Sequence, residues 1–186
     1  MRIVATELDG VKLIELERMS DERGSFARSF CMDELLDAGV EFRVDQANIS
    51  VNNFSGTVRG MHIQTSPSEE AKIVRCTRGA MFDVALDLRP DSATYCHWVG
   101  AELTPVNGKA LLIPPGCAHG FQSLTDDTEV HYLMHGKYNP DAATGVRHDD
   151  PAFGIEWPVA ITSVSAKDRS WPDFDAAAGL APDTTT

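Results

Sequence analysis

Short runs in which apolar and polar residues take turns dominate the chain. Val11 to Glu17 reads VKLIELE, a largely alternating pattern that fits a half-buried strand. AKIVRCTR (Ala71 to Arg78) and AMFDVALDLR (Ala80 to Arg89) read as two strands joined by a tight turn at Arg78-Gly79. YCHWVGAELT from Tyr95, KALLIP from Lys109, FQSL from Phe121 and EVHYLM from Glu129 add further short strands. Turn signals at Asn107-Gly108, Pro114-Pro115-Gly116 and Thr125-Asp126-Asp127 separate them. Only MDELLDAG, from Met32 to Gly39, has a helical pattern, with Gly39 as its stop. Many short strands and few helices predict an all-β sandwich or barrel. Neither a repeat nor a linker nor a second domain shows. DAAAGLAPDTTT, residues 175–186, has little to bury and is expected to be a mobile tail, which leaves residues 1–174 as one domain.

Composition narrows the function classes. A chain of 186 residues with 42% hydrophobic content is long enough for one substantial core. Its formal net charge of −12 argues against a nucleic-acid backbone or an anionic membrane as the main partner. No apolar run is long enough to span a bilayer, and the N-terminal stretch lacks the apolar core of a signal peptide. Cytoplasmic residence is therefore expected. Cys31, Cys76, Cys96 and Cys117 form no C-x-x-C pair, which removes zinc-knuckle and redox readings and leaves buried free thiols.

The chemistry concentrates in two segments. Gly56 to Gln64 reads GTVRGMHIQ, with Gly79 downstream, and resembles the first half-motif of the cupin superfamily. Gly108, Pro114, Gly116 and His119 match the second, with Ser123 where an Asn usually closes it. Metal-binding cupins generally present two His and a Glu from the first segment and a His from the second. Here Gln64 stands for the second His and Lys72 for the Glu, and an ammonium repels a divalent cation. The expectation is no metal and no other cofactor, although Glu69 and Glu70 lie close enough to substitute as ligands.

Without a metal, His62 keeps a free imidazole nitrogen, and histidines exchange protons near neutral pH. Alone it would read as a core histidine. If the cupin reading holds, however, Arg59, Lys72 and His119 converge with it on one barrel interior, and alternation points Gln64 the same way. Several basic groups inside an acidic protein call for an anionic ligand, such as a phosphate or diphosphate ester.

An ordered series of segments resembles the nucleotide-sugar 3,5-epimerase family. The series runs DERGSF from Asp21, QANIS from Gln46, VRGMHIQ from Val58, EAKIVRCTRG from Glu70 and DVALDLR from Asp83. It continues with IPPGCAHGF from Ile113, Tyr132, YNP from Tyr138, HDDP from His148, Trp157-Pro158 and SAKD from Ser165. The resemblance implies a metal-free cupin jelly roll, a double-stranded β-helix, that forms a homodimer by strand exchange. Its substrate would be a nucleotide-diphosphate-linked 4-keto-6-deoxy sugar. It makes His62 the base that removes a proton beside the C4 ketone, with Asp168 holding its tautomer, Lys72 stabilising charge on O4 and Tyr132 returning a proton from the opposite face. Arg23, Arg59 and His119 would contact substrate, in part at the diphosphate, with Arg23 a candidate from the neighbouring subunit. Gln46, Asn48, Gln64, Tyr138 and Lys167 would contact it elsewhere, and Phe26 would stack on the base.

Several departures bear on the substrate. Arg28 and Ala143 stand where the family usually has Glu, which reverses or removes charge near the nucleoside. Ile63 replaces a Tyr, while Leu133 and His135 replace a Lys and a Thr; His135 should face away from the site. These changes suggest a paralogue for a related nucleotide sugar, inverting C3, C5 or both. Two other classes stand beside this one. One is a metal-dependent cupin, an oxygenase or metalloisomerase, using His62, Gln64, Glu69 and His119; the other is a sugar-nucleotide-binding jelly roll without catalysis.

Overall fold

The computed structural model describes residues 1–180. The chain opens with β1 (Arg2–Ala5), β2 (Lys12–Glu15), β3 (Met19–Asp21) and β4 (Gly24–Phe26), followed by α1 (Met32–Asp37). Then come β5 (Gln46–Asn52), β6 (Thr57–Gln64), β7 (Ala71–Arg78), β8 (Met81–Asp87) and β9 (Trp98–Leu103). β10 (Lys109–Ile113), β11 (Cys117–Ser123), β12 (Thr128–His135), β13 (Ala143–Gly145), β14 (Ser163–Val164) and α2 (Ala166–Arg169) complete it. No described helix is long and apolar enough to cross a membrane.

Two sheets form the body. One runs β1-β2-β10-β7-β12-β5, and the other β13-β6-β11-β8-β9 with β14 beside β6. Alternate residues of the first sheet, among them Val74, Cys76, Leu111, Ile113 and Val130, pack against Met81, Ala85, Leu103, Cys117 and Phe121 of the second. This is the jelly roll that the motifs imply. Its outer faces are covered as well. α1 and Phe42 lie over Ile14, Ile73 and Leu112, while Phe153, Trp157, Phe174 and Leu180 cover Met61, Val84 and Leu86. Strands buried on both sides read as nearly continuous apolar runs, as ALLI and VAL do here. Fully burying one such side chain contributes about 1.5–3 kcal/mol.

The turn expected at Arg78-Gly79 does not make a hairpin. β7 pairs with β10 and β12, β8 with β9 and β11, so the turn carries the chain from one sheet to the other. Gly79 is required there: φ is +78°, and a Cβ would stand 2.6 Å from Thr125 Oγ1 and 2.7 Å from Thr128 Oγ1. The predicted helix ends before Gly39, as placed. β11 starts at Cys117, four residues earlier than FQSL, because CAHG already pairs with β8 along Asp87 to Val84.

β5 closes the first sheet with an edge that pairs with no other strand among the described residues, and leaves Ile49 65% and Val51 46% exposed. The β3–β4 hairpin stands outside both sheets, with Met19 and Phe26 in solvent. In the stretch expected to be a tail, Ala176 accepts a hydrogen bond from the Tyr95 hydroxyl at 3.1 Å, and residues 181–186 lie outside the described residues.

Candidate active site

A cavity opens between the two sheets in two lobes of about 310 and 540 Å³. Asn48, His62, Lys72 and Met134 border both. The smaller lobe adds Arg59, His119 and Tyr132; the larger adds Gln46, Gln64, Tyr138, Lys167 and Trp171. The cavity is thus two-walled. β6 and β11 present His62, Arg59 and His119, while β7 and β12 present Lys72, Tyr132 and Met134.

His62 and His119 are register partners in the β6–β11 pair. Beside them the register shifts, between His119 and Phe121, and two glycines let the strands touch. A Cβ on Gly60, whose φ is +119°, would stand 2.5 Å from Gly120 Cα. His62 Nε2 lies 2.7 Å from Asp168 Oδ1, which leaves Nδ1 without a protein partner among the described residues. Ser165 caps α2 by accepting from the Asp168 N–H at 3.0 Å, so one short helix delivers the carboxylate. Burial works against the Asp168 charge, but bonds from His62, the Gly60 N–H and Ser165 hold its carboxyl below the usual range. Its side chain is 6% exposed, while that of His62 is 47% exposed.

His119 Nε2 lies 2.7 Å from Asp83 Oδ1, and both groups are buried. Loss of water pushes Asp83 up and His119 down, so each leans towards its neutral form despite their mutual attraction. The Tyr132 ring meets His119 edge-on at 5.8 Å, and burial raises its phenol well above the ordinary range. Tyr132 therefore holds its proton throughout neutral pH. Lys72 Nζ stands 2.9 Å from Glu70 Oε1, and Arg59 Nε donates to Asn52 Oδ1 at 2.7 Å.

The expected convergence of Arg59, His62, Lys72 and His119 is present, and Gln46, Asn48, Tyr132, Tyr138 and Lys167 join it. Gln64 also lines the cavity, yet both ends of its amide are engaged: Oε1 accepts from Asn139 N–H, and Nε2 donates to Glu70 and two carbonyls. Arg23 and Phe26 are not brought to the cavity within one chain. Their hairpin projects into solvent, where Arg23 pairs with Asp21. Arg28 likewise turns outward to Glu34, whereas Ala143 does line the larger lobe. His135 faces away, against Phe42 and the Arg43 backbone.

Sequence reasoning assigned no role to Asp83 or Trp171, and considered Glu70 only as a substitute metal ligand. A lone carboxylate inside the apolar run FDVAL was the available signal for Asp83, since such a charge needs a partner. The metal-centre alternative finds a poor donor set. Glu69 is exposed, both histidines hold carboxylates, and the Lys72 ammonium lies at the centre of the cavity wall. Among the described residues, no three His, Cys, Asp or Glu side chains gather as a metal group. Cys117 is buried, and loss of water pushes its thiol up to about 12, which makes it inert.

Comparison with known proteins adds an independent line. A family model described as dTDP-4-dehydrorhamnose 3,5-epimerase matches residues 5–176. The chain is 44% identical over 165 residues to the dTDP-4-dehydrorhamnose 3,5-epimerase of Sinorhizobium fredii, covering 88% of this chain and 85% of the relative. It is 38% identical over 170 residues to a dTDP-4-dehydrorhamnose 3-epimerase of Streptomyces niveus, covering 91% and 82%. Among solved structures, the dTDP-4-dehydrorhamnose 3,5-epimerase of Bacillus anthracis, with TDP and pyrophosphate bound, superposes with a TM-score of 0.90. That pair shares 36% identity over 93% of this chain and 99% of the other.

Proposed function

The chain belongs to the dTDP-4-dehydrorhamnose 3,5-epimerase family, isomerases acting on sugar nucleotides, and from that premise we propose how this cavity inverts a carbon. The substrate is a dTDP-linked 4-keto-6-deoxyhexose or a close nucleotide relative. Residues 1–174 act as the catalytic domain. The observation that carries the reading is the His62–Asp168 pair, whose free nitrogen shares a cavity with a protonated Tyr132.

A hydrogen on the carbon next to a ketone leaves as a proton only if the resulting enolate is stabilised. His62 Nδ1 takes that proton, and Asp168, ionised at neutral pH, keeps the other nitrogen protonated and stabilises the imidazolium. Lys72 donates to O4 as negative charge builds there, an interaction stronger in the transition state than in the ketone. Tyr132 then delivers its proton to the opposite face; afterwards His62 gives its proton to solvent and the Tyr132 phenolate takes one back, which resets the site. Arg59 and Lys167 suit the diphosphate, since neither has a carboxylate partner among the described residues. The chain uses no redox cofactor for this chemistry, because the carbon is deprotonated and reprotonated at one oxidation level.

A second copy of the chain completes the site. The β5 edge, with Ile49, Val51 and Phe54 exposed, and the projecting β3–β4 hairpin with Arg23 and Phe26 offer a surface suited to strand exchange. The hairpin would then bring Arg23 and Phe26 to the partner's cavity.

Deuterium incorporation in heavy water tests the reading. The protein, treated with EDTA, is given 4-keto-6-deoxy sugars linked to dTDP, UDP, CDP or GDP, with His62→Ala as control. Wash-in at C3, C5 or both that disappears in the control supports proton transfer and names the carbons and the base. Binding without exchange on every substrate overturns it, and exchange abolished by EDTA and restored by metal returns the metal-dependent alternative.

A further inference from the structure

One carboxylate at the cavity wall has no part in the mechanism above. Glu70 directs its two oxygens to different partners: Oε1 stands 2.9 Å from Lys72 Nζ, and Oε2 accepts from Gln64 Nε2 at 2.9 Å. The lysine and glutamate side chains are only 8% and 9% exposed, so water does little to share their charges. A lysine carries a compact ammonium on a stem with many rotamers, and a cation needed at one atom of a substrate must be held there.

Gln64 extends the network to the cavity mouth. Its Nε2 also donates to the carbonyls of Ser68 and Lys137 at 3.1 and 3.2 Å, and its Oε1 accepts from the Asn139 N–H at 2.6 Å. Turning the amide over would set an NH2 group against the Asn139 N–H, so the network permits one orientation. Tyr138, between the two anchored residues, lines the larger lobe. The chain of contacts thus runs from Lys72 through Glu70 and Gln64 to the segment that carries Tyr138.

We propose that Glu70 is the positioning residue for Lys72, fixing its ammonium for O4 of the sugar and linking that position through Gln64 to the 137–139 segment. The proposal rests on the reading of Lys72 as the cation that stabilises O4. It also separates the cavity's cations by task. Glu70 offsets the charge of Lys72, whereas Arg59 bonds to the neutral Asn52 and Lys167 lies over the Trp171 ring at 5.4 Å. Lys72 is thereby reserved for the charge that appears during reaction, and the other two meet the charge that substrate brings with it. Loss of Glu70 should accordingly lower turnover and spare substrate binding.

The test uses the full chain and a dTDP-linked 4-keto-6-deoxyglucose, with deuterium wash-in and steady-state turnover as readouts. The variants are Glu70→Ala, Glu70→Gln, Lys72→Met and the Glu70→Ala/Lys72→Met double, with thermal melts to check folding. Glu70→Ala is expected to lower kcat by roughly 10- to 100-fold, the scale of a misplaced catalytic group, with little change in KM. Glu70→Gln should recover part of it, because its carbonyl still accepts from Lys72 while its NH2 group opposes that of Gln64. With Lys72 already Met, losing Glu70 should matter little, since the two act as one unit. Undiminished kcat in Glu70→Ala, or fully additive losses in the double variant, would overturn the positioning role and leave Lys72 its own. Undiminished kcat in Lys72→Met would overturn both. Should Glu70→Ala not fold, the near-isosteric Glu70→Gln carries the comparison, and unchanged kcat there overturns the proposal.

Discussion

His62 and His119 sit opposite each other in one strand pair, yet each imidazole answers to a different carboxylate in a different medium. Asp168 is held ionised by three bonds, while Asp83 is driven towards neutrality by complete burial. Two His–Asp pairs of equal length, 2.7 Å, are therefore not equivalent. The pair with the exposed imidazole is fitted for proton transfer, and the other for presenting a neutral ring. Asp168→Asn should lower kcat by roughly 10³–10⁴-fold, as when a base loses its tautomer partner. Asp83→Asn should cause a much smaller loss. Steady-state kinetics on both variants checks the ranking, and equal losses would contradict it.

Under the proposed mechanism, Tyr132→Phe removes the acid and leaves the base. Wash-in of deuterium by His62 should persist on the original face, whereas inversion falls by about 10²–10⁴-fold, the usual reach of a general acid. Proton NMR separates the two events in one sample. Loss of wash-in together with inversion would make Tyr132 part of enolate formation instead.

Stability should decline on mild acidification. Burial holds His148 below its ordinary value, against the pull of Asp149 and Asp168 and with Arg169 and Arg147 opposing protonation. The unfolded chain then binds the proton first as pH falls. Stability is full above about pH 6.5 and is lost below it at up to about 1.4 kcal/mol per pH unit for one histidine, until the folded value is reached. Asp168, with a lowered folded value, adds its own loss only below about pH 4. Urea titrations at pH 7.5 and 5.5 should show the decline, and His148→Gln should reduce it, leaving the part contributed by His119, which burial also holds low.

Thiol chemistry offers a simple check on the core. Cys76 and Cys117 are buried, and loss of water pushes their thiols up to about 11 and about 12. In the native protein at pH 8, iodoacetamide should reach Cys31 first and leave these two unmodified until denaturant is added. Peptide mapping by mass spectrometry reads the order.

The edge of β5 supplies a test of assembly. Replacing Val51 and Phe54 with Glu should leave each chain folded, since both are exposed and neither lines the cavity, and shift the species in sedimentation to monomer. Activity should fall with it if Arg23 and Phe26 serve the partner's cavity. A variant that stays dimeric would remove β5 from the interface.

Much of the fold was legible because the core strands announce themselves. β7 falls at its predicted bounds, β10 stops one residue short of the predicted KALLIP, and α1 ends before its Gly. β5 and β6 gave weaker signals, for a physical reason. The cavity reverses the usual sides: β5 alternates strictly as QANISVN, yet its polar Asn48 lines the cavity while Val51 is exposed, and β6 likewise turns Arg59 and His62 to the cavity. The sheet change at Gly79 was hidden because a tight glycine turn serves a hairpin and a corner equally. In the site, spacing placed His62 and Gln64 on one strand, and the family motifs supplied Asp168, Tyr132 and Lys72. What stayed out of view was the Asp83–His119 partnership, 36 residues apart in the chain; the Asp168–His62 pair, 106 apart, came from the family motifs and not from spacing.

The division of the cavity between two sheets makes the hydrophobic interior a shim that sets the working gap. His62 rides on one plate, Lys72 and Tyr132 on the other, and Val74, Val130 and Phe121 fill the space between the plates. A methylene added at Val130 would press on both plates from within the core, against which Tyr132 also packs. Catalytic rate in this protein is therefore also a caliper for core thickness, sensitive to fractions of an ångström far from the sugar.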